Sequence, residues 1–440
     1  MTDATVRLWG RDVAAVSWLA DRGVAAFQYM PAFVESGVRL APLTMPLSSA
    51  VRQFPELPRA SFYGLPGLLA DSLPDRFGNA LIDAWLAAQG RDSTSFNPVE
   101  RLCYIGTRGM GALEFAPAIL RGGTATQPVE LDALRQLAAD VLNDRRALVG
   151  ELRGGDDRVA LRQILRVGTS AGGARAKAVL AWNEHTGQFR SGQSESDEGF
   201  TQWILKFDGI ANNRDKELAD PQGFGRVEYA CHLLALAAGV DMTPSRLHEE
   251  GGRAHFMTRR FDRDMQGRKL HMQSLAAMRH FDFNAAGAYS YEQAVETAVR
   301  LQLPAHDREQ LVRRAFLNVL LRNQDDHVKN IAFLMNRAGE WRLAPAFDVT
   351  YAYNPQGLWT GRHQMTLAGK RDDFTVSDLL QFAAVAGIRR AAASRLLREM
   401  HAAVRRWPEF AEQAGVNGET MRTIHGALRL DLAPPSATVQ

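Results

Sequence analysis

The hydrophobic period of this chain changes near residue 265, and that change constrains the fold more than any single motif. Before it, short strand-like runs are separated by turn residues: Thr5–Trp9, Ala25–Tyr29, Cys103–Ile105, Ala178–Trp182, Trp203–Phe207 and His255–Phe261. A polar loop, Glu184–Gln202, joins two of these runs as a long hairpin. Helical spacing interrupts them at Asp75–Ala88, which follows Gly64-Leu65-Pro66-Gly67, and at 129–149, with Leu131, Leu134, Leu137, Ala138 and Leu142. A third helix, Arg226–Ala238, is stopped by Gly239. After residue 265 helices dominate. Asp307 is placed to cap one that carries Leu311, Ala315, Val319 and Leu320. Two short strands follow, Ile331–Met335 and Trp341–Leu343, around Ala338-Gly339. The tail, Val376–Leu430, is helical with breaks at Gly387, Pro408 and Gly415. At 440 residues the chain exceeds the usual single core of about 250. The expectation is an α+β protein with a β-rich N-terminal half, an all-α C-terminal half and a cleft between two lobes.

Composition closes off several classes. An apolar fraction of 46% with 23% charged residues excludes a disordered chain. The longest apolar stretches, such as Ala230–Val240, are too short to span a bilayer. Met1–Arg11 is polar with no apolar signal region, so the chain reads as soluble and cytoplasmic, with no membrane role. Cys103 and Cys231 cannot build a disulfide framework or a four-cysteine zinc site. A net charge of +3 does not argue for nucleic acid. Only six of the 52 basic residues are lysine, and three of those six, Lys177, Lys206 and Lys329, fall in the motifs below. A compact ammonium retained in an arginine-rich chain marks places where arginine does not serve.

Four constellations carry chemistry. Gly168-Thr169-Ser170-Ala171-Gly172-Gly173-Ala174-Arg175-Ala176-Lys177 runs into a strand. Its small residues let backbone amides approach an anion, although a surface turn has the same composition and the Walker A spacing is absent. Trp203-Ile204-Leu205-Lys206-Phe207 sets a lysine in an apolar strand. Such a lysine either snorkels to water or pairs, and Glu228 on the following helix is the first candidate partner. A strand lysine held by a helix glutamate is how protein kinases aim an ammonium at nucleotide phosphates. Asn323-Gln324-Asp325-Asp326-His327-Val328-Lys329-Asn330 packs seven polar side chains between a helix end and a strand. Asp325 and Asn330 have four residues between them, the Asp-to-Asn spacing of a kinase catalytic loop. Asp325 would take a hydroxyl proton, Asn330 would ligate magnesium, and Lys329 would lie near the transferred phosphate. Finally, Leu343-Ala344-Pro345-Ala346-Phe347-Asp348-Val349 returns an acid, Asp348, beside Asn330. Magnesium keeps most of its waters and needs only one or two protein ligands.

In this order, the motifs resemble those of the HipA family of bacterial serine/threonine kinases, the toxins of type II toxin–antitoxin systems. The resemblance spans nearly the whole chain. Ser61–Trp85 and Tyr104-Ile105-Gly106 through Gly109-Met110-Gly111-Ala112-Leu113 resemble the family's N-terminal signatures, and Arg260-Phe261-Asp262-Arg263 the segment where members hold adenine. It implies three parts: an N-terminal subdomain (1–125), a kinase N-lobe with the Gly-rich loop (126–264) and a helical C-lobe (265–440). It implies ATP and Mg²⁺ as cofactors, with Ser170, Ala171, Gly172, Gly173, Lys177, Lys206, Glu228, Phe261 and His327 at the nucleotide. Asp325 and Lys329 would be catalytic, and Asn330 and Asp348 would hold the metal. Ser170 matches the loop serine whose autophosphorylation ejects the loop and switches the kinase off, as added phosphate charge in a phosphate-binding loop would do. The implied partners are a protein substrate, an aminoacyl-tRNA synthetase in the best-known members, and a small helix-turn-helix antitoxin through which DNA is reached. The family's acidic pair after the hinge is replaced here by Met272-Gln273-Ser274-Leu275, and His271–Ser290 looks closer to the YjjJ-like branch.

Two rivals stand beside this reading. One is a corepressor with a weak or vestigial kinase site, acting with a DNA-binding antitoxin. The other is a metallohydrolase built on Asp325, Asp326, His327 and Asp348, for which a single histidine is a poor zinc set. Trp85, Trp203 and Trp341 read as core anchors, His271 and His280 as core or surface histidines, and Arg389-Arg390 and Arg405-Arg406 as solvated helix faces.

Overall fold

The computed structural model describes residues 2–74, 76–119, 130–143, 168, 175–192, 199–210 and 222–433. The chain is α+β, with two compact units. The first comprises Met1–Gln222, His248–Gln273 and Leu334–Glu340, and the second Gly223–Leu247, Ser274–Phe333 and Trp341–Gln440. No helix among the described residues is long and apolar enough to cross a membrane.

The first unit opens with strands β1 (Thr2–Leu8), β2 (Arg11–Leu19), β3 (Val24–Tyr29) and β4 (Leu113–Ala116), which form an antiparallel sheet in the order β3-β2-β1-β4. Alternation sets its buried face, with Ala4, Val6 and Leu8 of β1 inward. A second sheet holds β5 (Lys177–Trp182), β6 (Phe189–Ser191), β7 (Thr201–Lys206), β8 (Ser245–Glu250) and β9 (Arg253–Arg259), in the order β6-β5-β7-β9-β8. The expected hairpin loop thus contains a strand: β6 pairs with β5 on the edge opposite β7. One face of this sheet presents Ala178, Leu180, Trp203, Leu205 and Met257. That face packs with Phe77, Leu81, Ile82 and Leu86 of helix Arg76–Ala88 and with Leu131, Leu134 and Ala138 of helix Leu131–Asn143. Each such leucine contributes about 1.5–3 kcal/mol through burial.

Cys103–Ile105 is not a strand. It is the last turn of helix Pro98–Ile105, which starts at an Asn97–Glu100 capping box with Pro98 in its first turn. Helical spacing buries Val99, Leu102 and Cys103 together. Local starting signals therefore outweigh the β-propensity of three residues. The segment Arg260–Arg263 closes a buried ion cluster within this unit. Arg260 donates to both Asp262 oxygens (2.9 and 2.7 Å), Arg263 donates at 2.8 Å, and the Gly111 amide donates at 2.6 Å. Burial would raise the Asp262 carboxyl, but the two guanidiniums outweigh it and hold the group well below the carboxylate range. Two stretches of family-like sequence 150 residues apart are thus tied by one carboxylate.

In the second unit helix Ala305–Leu321 is the longest, and Asp307 is not its N-cap. Pro304 holds that place, while Asp307 sits buried in the first turn. There it accepts from Arg342 (2.8 and 2.9 Å) and from the Leu343 amide (2.9 Å), so a residue suited to capping instead anchors the following strand, Trp341–Leu343. The tail forms helices Val376–Val385, Arg390–Arg405, Trp407–Gln413 and Gly418–Ala427. The expected break at Pro408 is there: one helix ends at Arg405 and the next starts at Trp407, with Pro408 in its first turn, where a missing N–H costs nothing. In the first unit His271 is fully buried, its Nε2 3.0 Å from Gln273 Nε2, and burial pushes it down to about 3.

Candidate active site

The chain leaves helix Ala305–Leu321 through Arg322, whose left-handed φ of +55° turns it sharply. Asn323 fixes the turn: its Nδ2 donates to Asn318 Oδ1 (3.0 Å) and to the Asp348 carbonyl (3.2 Å). The Gln324 amide donates to Ala352 O at 3.0 Å. Two adjacent acids then meet opposite environments. Asp326 is 1% exposed and accepts from Tyr291 Oη, His363 Nδ1 and the Gln364 amide, each at 2.7 Å. Arg429 Nη1 lies 2.9 Å from His363 Nε2, so Nε2 accepts and the proton sits on Nδ1, facing Asp326. Asp325 is 31% exposed and carries one bond to Oδ1, from Trp359 Nε1 at 2.6 Å. Among the described residues Oδ2 has no hydrogen-bond donor. The first acid is therefore presented and the second consumed in holding the loop.

The rest of the loop follows. Asn330 Nδ2 donates to the Asp325 carbonyl at 2.8 Å, so the amide oxygen is the atom left for a cation. Lys329 Nζ lies 4.7 Å from the centre of the Phe283 ring, and His327 packs between Phe283 and Trp359, each ring 6.4 Å away. Asp348 adopts φ +53°, a region where an L-residue is strained by about 1–2 kcal/mol. The oxygens of Asp348 and Asn330 are the hard donors that magnesium takes, and the orientation of the Asn330 amide fits that role. Because the strain belongs to the backbone, Asp348→Gly is expected to be more stable than Asp348→Ala by about 1 kcal/mol, though both lack the carboxylate. Urea unfolding of the two variants measures this, and an alanine form as stable as the glycine form would remove the strain argument.

In the first unit Lys177 and Lys206 are directly opposed in the β5–β7 register. Both leave the sheet on the face away from its apolar core, where Lys177 is buried and Lys206 Nζ lies 5.8 Å from the centre of the Phe256 ring. Like charges directly opposite one another destabilise a strand pair unless opposite charges lie near them. Glu228 is buried on helix Phe224–Ala237 of the second unit, and Phe261 is partly buried in the first. Ser170, Ala171, Gly172 and Gly173 lie outside the described residues.

Family models for the HipA N-terminal domain and the HipA-like C-terminal domain match residues 4–116 and 169–407, the second alone more than half of the chain. The chain belongs to the HipA family. Its fold is that of a HipA solved from Shewanella oneidensis MR-1, in a complex of toxin–antitoxin system HipA, HipB and operator DNA. That match has a TM-score of 0.67 at 18% identity and covers 96% of this chain and 94% of the other. The Helicobacter pylori proinflammatory kinase CtkA matches more loosely, with a TM-score of 0.37 at 14% identity, over 60% of this chain and 91% of its own. No curated protein matches the sequence.

Within this HipA-family chain the structure gathers Asp325, His327, Lys329 and Asn330 on one loop, ties Asp348 to it through Asn323, and pairs Lys177 with Lys206. Sequence reasoning missed Trp359, His363 and Phe283, which touch the loop from remote positions. It also left Asp326 as a metal-ligand option for the hydrolase rival. The structure removes that option, because both Asp326 oxygens are already taken by protein donors. Among the described residues no three His, Cys, Asp or Glu side chains converge on one point.

Proposed function

We propose that this chain is an ATP- and Mg²⁺-dependent serine/threonine protein kinase acting as the toxin of a type II toxin–antitoxin system. The observation that carries the reading is the presented Asp325 carboxylate, with Asn330 bonded to the Asp325 carbonyl. Asp325 takes the proton of the attacking hydroxyl. The hydroxyl oxygen bonds to the γ-phosphorus as the bond to the bridging oxygen breaks, and ADP leaves with that electron pair. Lys206 and Lys177 supply positive charge for the nucleotide phosphates, and Lys329 meets the transferred group. Asn330 and Asp348 would hold magnesium, which would supply positive charge toward the nucleotide phosphates. Phe261 is the residue for adenine and His327 the one for the phosphates, as the family resemblance implies. Ser170, in the small-residue loop Ser170–Gly173, is the expected autophosphorylation site, and its phosphate repels the nucleotide phosphates. A small helix-turn-helix antitoxin of the HipB kind restrains the kinase and carries it to DNA, and growth stops when a cellular protein is phosphorylated.

The test is incubation of the full-length protein with γ-labelled ATP and Mg²⁺, followed by phosphopeptide mapping. Label on Ser170 that depends on Mg²⁺ supports the reading. Bound ATP with no transfer to the chain or to added lysate protein overturns it in favour of a regulatory protein on this fold.

A further inference from the structure

Resting on the reading of Asp325 as the base, we propose that Trp359 is a positioning residue for phosphoryl transfer: its indole N–H pins Asp325 Oδ1 so that Oδ2 faces the attacking hydroxyl. The bond is 2.6 Å from Nε1 to Oδ1 and is the only side-chain donor within 3.5 Å of that carboxylate among the described residues. A carboxylate free to rotate presents either oxygen in many directions. One fixed oxygen leaves the other with a defined lone pair, which is the preorganisation that a base requires.

The indole is itself held. The loop 354–361 closes on itself through Gln356 N to Asn354 Oδ1 (3.1 Å), Gly357 N to Asn354 O (2.9 Å) and Gly361 N to Gly357 O (3.1 Å). Its closure is tight: a Cβ on Gly361 would lie 2.5 Å from the Gly357 carbonyl, a backbone atom that cannot step aside. Leu358 is 96% exposed while Trp359 turns inward, where its ring also packs against His327. Beyond it, His363 and Gln364 bind Asp326, and the Gln364 side chain donates to the Trp359 carbonyl. The strap Trp359–Gln364 therefore grips both acids of the loop, the buried one for support and the exposed one for aim.

The experiment compares wild type, Trp359→Phe, Trp359→His and Gly361→Ala in labelled-ATP transfer by full-length protein, with thermal unfolding alongside. Phenylalanine keeps the ring and loses the N–H, so its kcat is expected to fall about 10–100-fold with KM for ATP within twofold, the loss typical of a hydrogen bond to a charged group. Histidine restores a donor and is expected to recover at least threefold over phenylalanine. Gly361→Ala is expected to follow Trp359→Phe in kcat although it touches neither Trp359 nor Asp325. A Trp359→Phe form matching wild type in kcat overturns this inference while leaving the kinase reading intact, as does a kcat loss only in proportion to lost folded protein. Absence of transfer by the wild type overturns the kinase reading and this inference with it.

Discussion

Asp325→Asn is expected to lower phosphoryl transfer about 10²–10⁴-fold while leaving ATP binding and folding close to wild type. That range corresponds to about 2.7–5.5 kcal/mol of lost transition-state stabilisation. The substitution is nearly isosteric, and both hydrogen bonds of the residue survive it, while the 3.9 Å approach of His327 Nε2 to Oδ1 loses its charge. The Asp325 carbonyl still receives Asn330 Nδ2, and the amide oxygen of an asparagine still accepts from Trp359 Nε1. Residue 325 is part-exposed, so no buried charge is lost, and the change in stability is expected to stay within about 1 kcal/mol. A fall in kcat with unchanged KM for ATP and unchanged unfolding temperature is thus a chemical effect. If the variant transfers label within threefold of wild type, Asp325 is not the base. The strap that orients Asp325 would then need another purpose.

Much of this molecule was legible in local patterns, because strands and helices are written with periods of two and 3.6 that need no distant partner. Residues Ala178–Trp182, Trp203–Phe207 and Arg226–Ala238 fall within two residues of β5, β7 and helix Phe224–Ala237. The loop Asn323–Asn330 was legible for a different reason: such a density of polar groups between a helix end and an apolar strand marks a built loop, whose members the structure divides between holding the backbone and facing solvent. What stayed hidden is tertiary. Asp325 and Asp326 are neighbours of identical chemistry, and nothing local says which one faces water. The answer comes from Tyr291, 35 residues earlier, and from His363, 37 residues later. Trp359 was hidden in the same way, since an indole in a turn-rich stretch reads as an anchor until its partner is known. The opposed pair Lys177 and Lys206 needed the strand register, which places them at the same rung. The misread residues, Cys103–Ile105 and Asp307, are cases where a cap or an ion pair redirected a residue whose own preference pointed elsewhere.

Asp326→Ala is expected to destabilise the protein by about 3–5 kcal/mol, more than any other single change near the loop. The carboxylate is buried and accepts from Tyr291 Oη, His363 Nδ1 and the Gln364 amide, so truncation strands three buried donors at once. The strain also spreads: His363 links onward to Arg429, which donates to Val319 O at 2.8 Å and to Asp372. Asp326→Asn keeps the volume and one acceptor and is expected to lose less. The pH dependence carries the sign. Burial alone would raise this carboxyl, but His363, Tyr291 and the Gln364 amide, all donating to it, outweigh burial and hold the group below its ordinary value of 3.8. A depressed folded pKa contributes stability that is fully present above the unfolded value and is lost as pH falls through the folded one. The gap in urea midpoint between wild type and Asp326→Asn is therefore expected to be constant from pH 5 to 7 and to narrow progressively as pH falls below about 4. A gap that does not narrow at all between pH 5 and the acid limit of folding, or one that is absent at pH 7, would mean that this carboxylate does not hold the loop in the way that its three bonds imply.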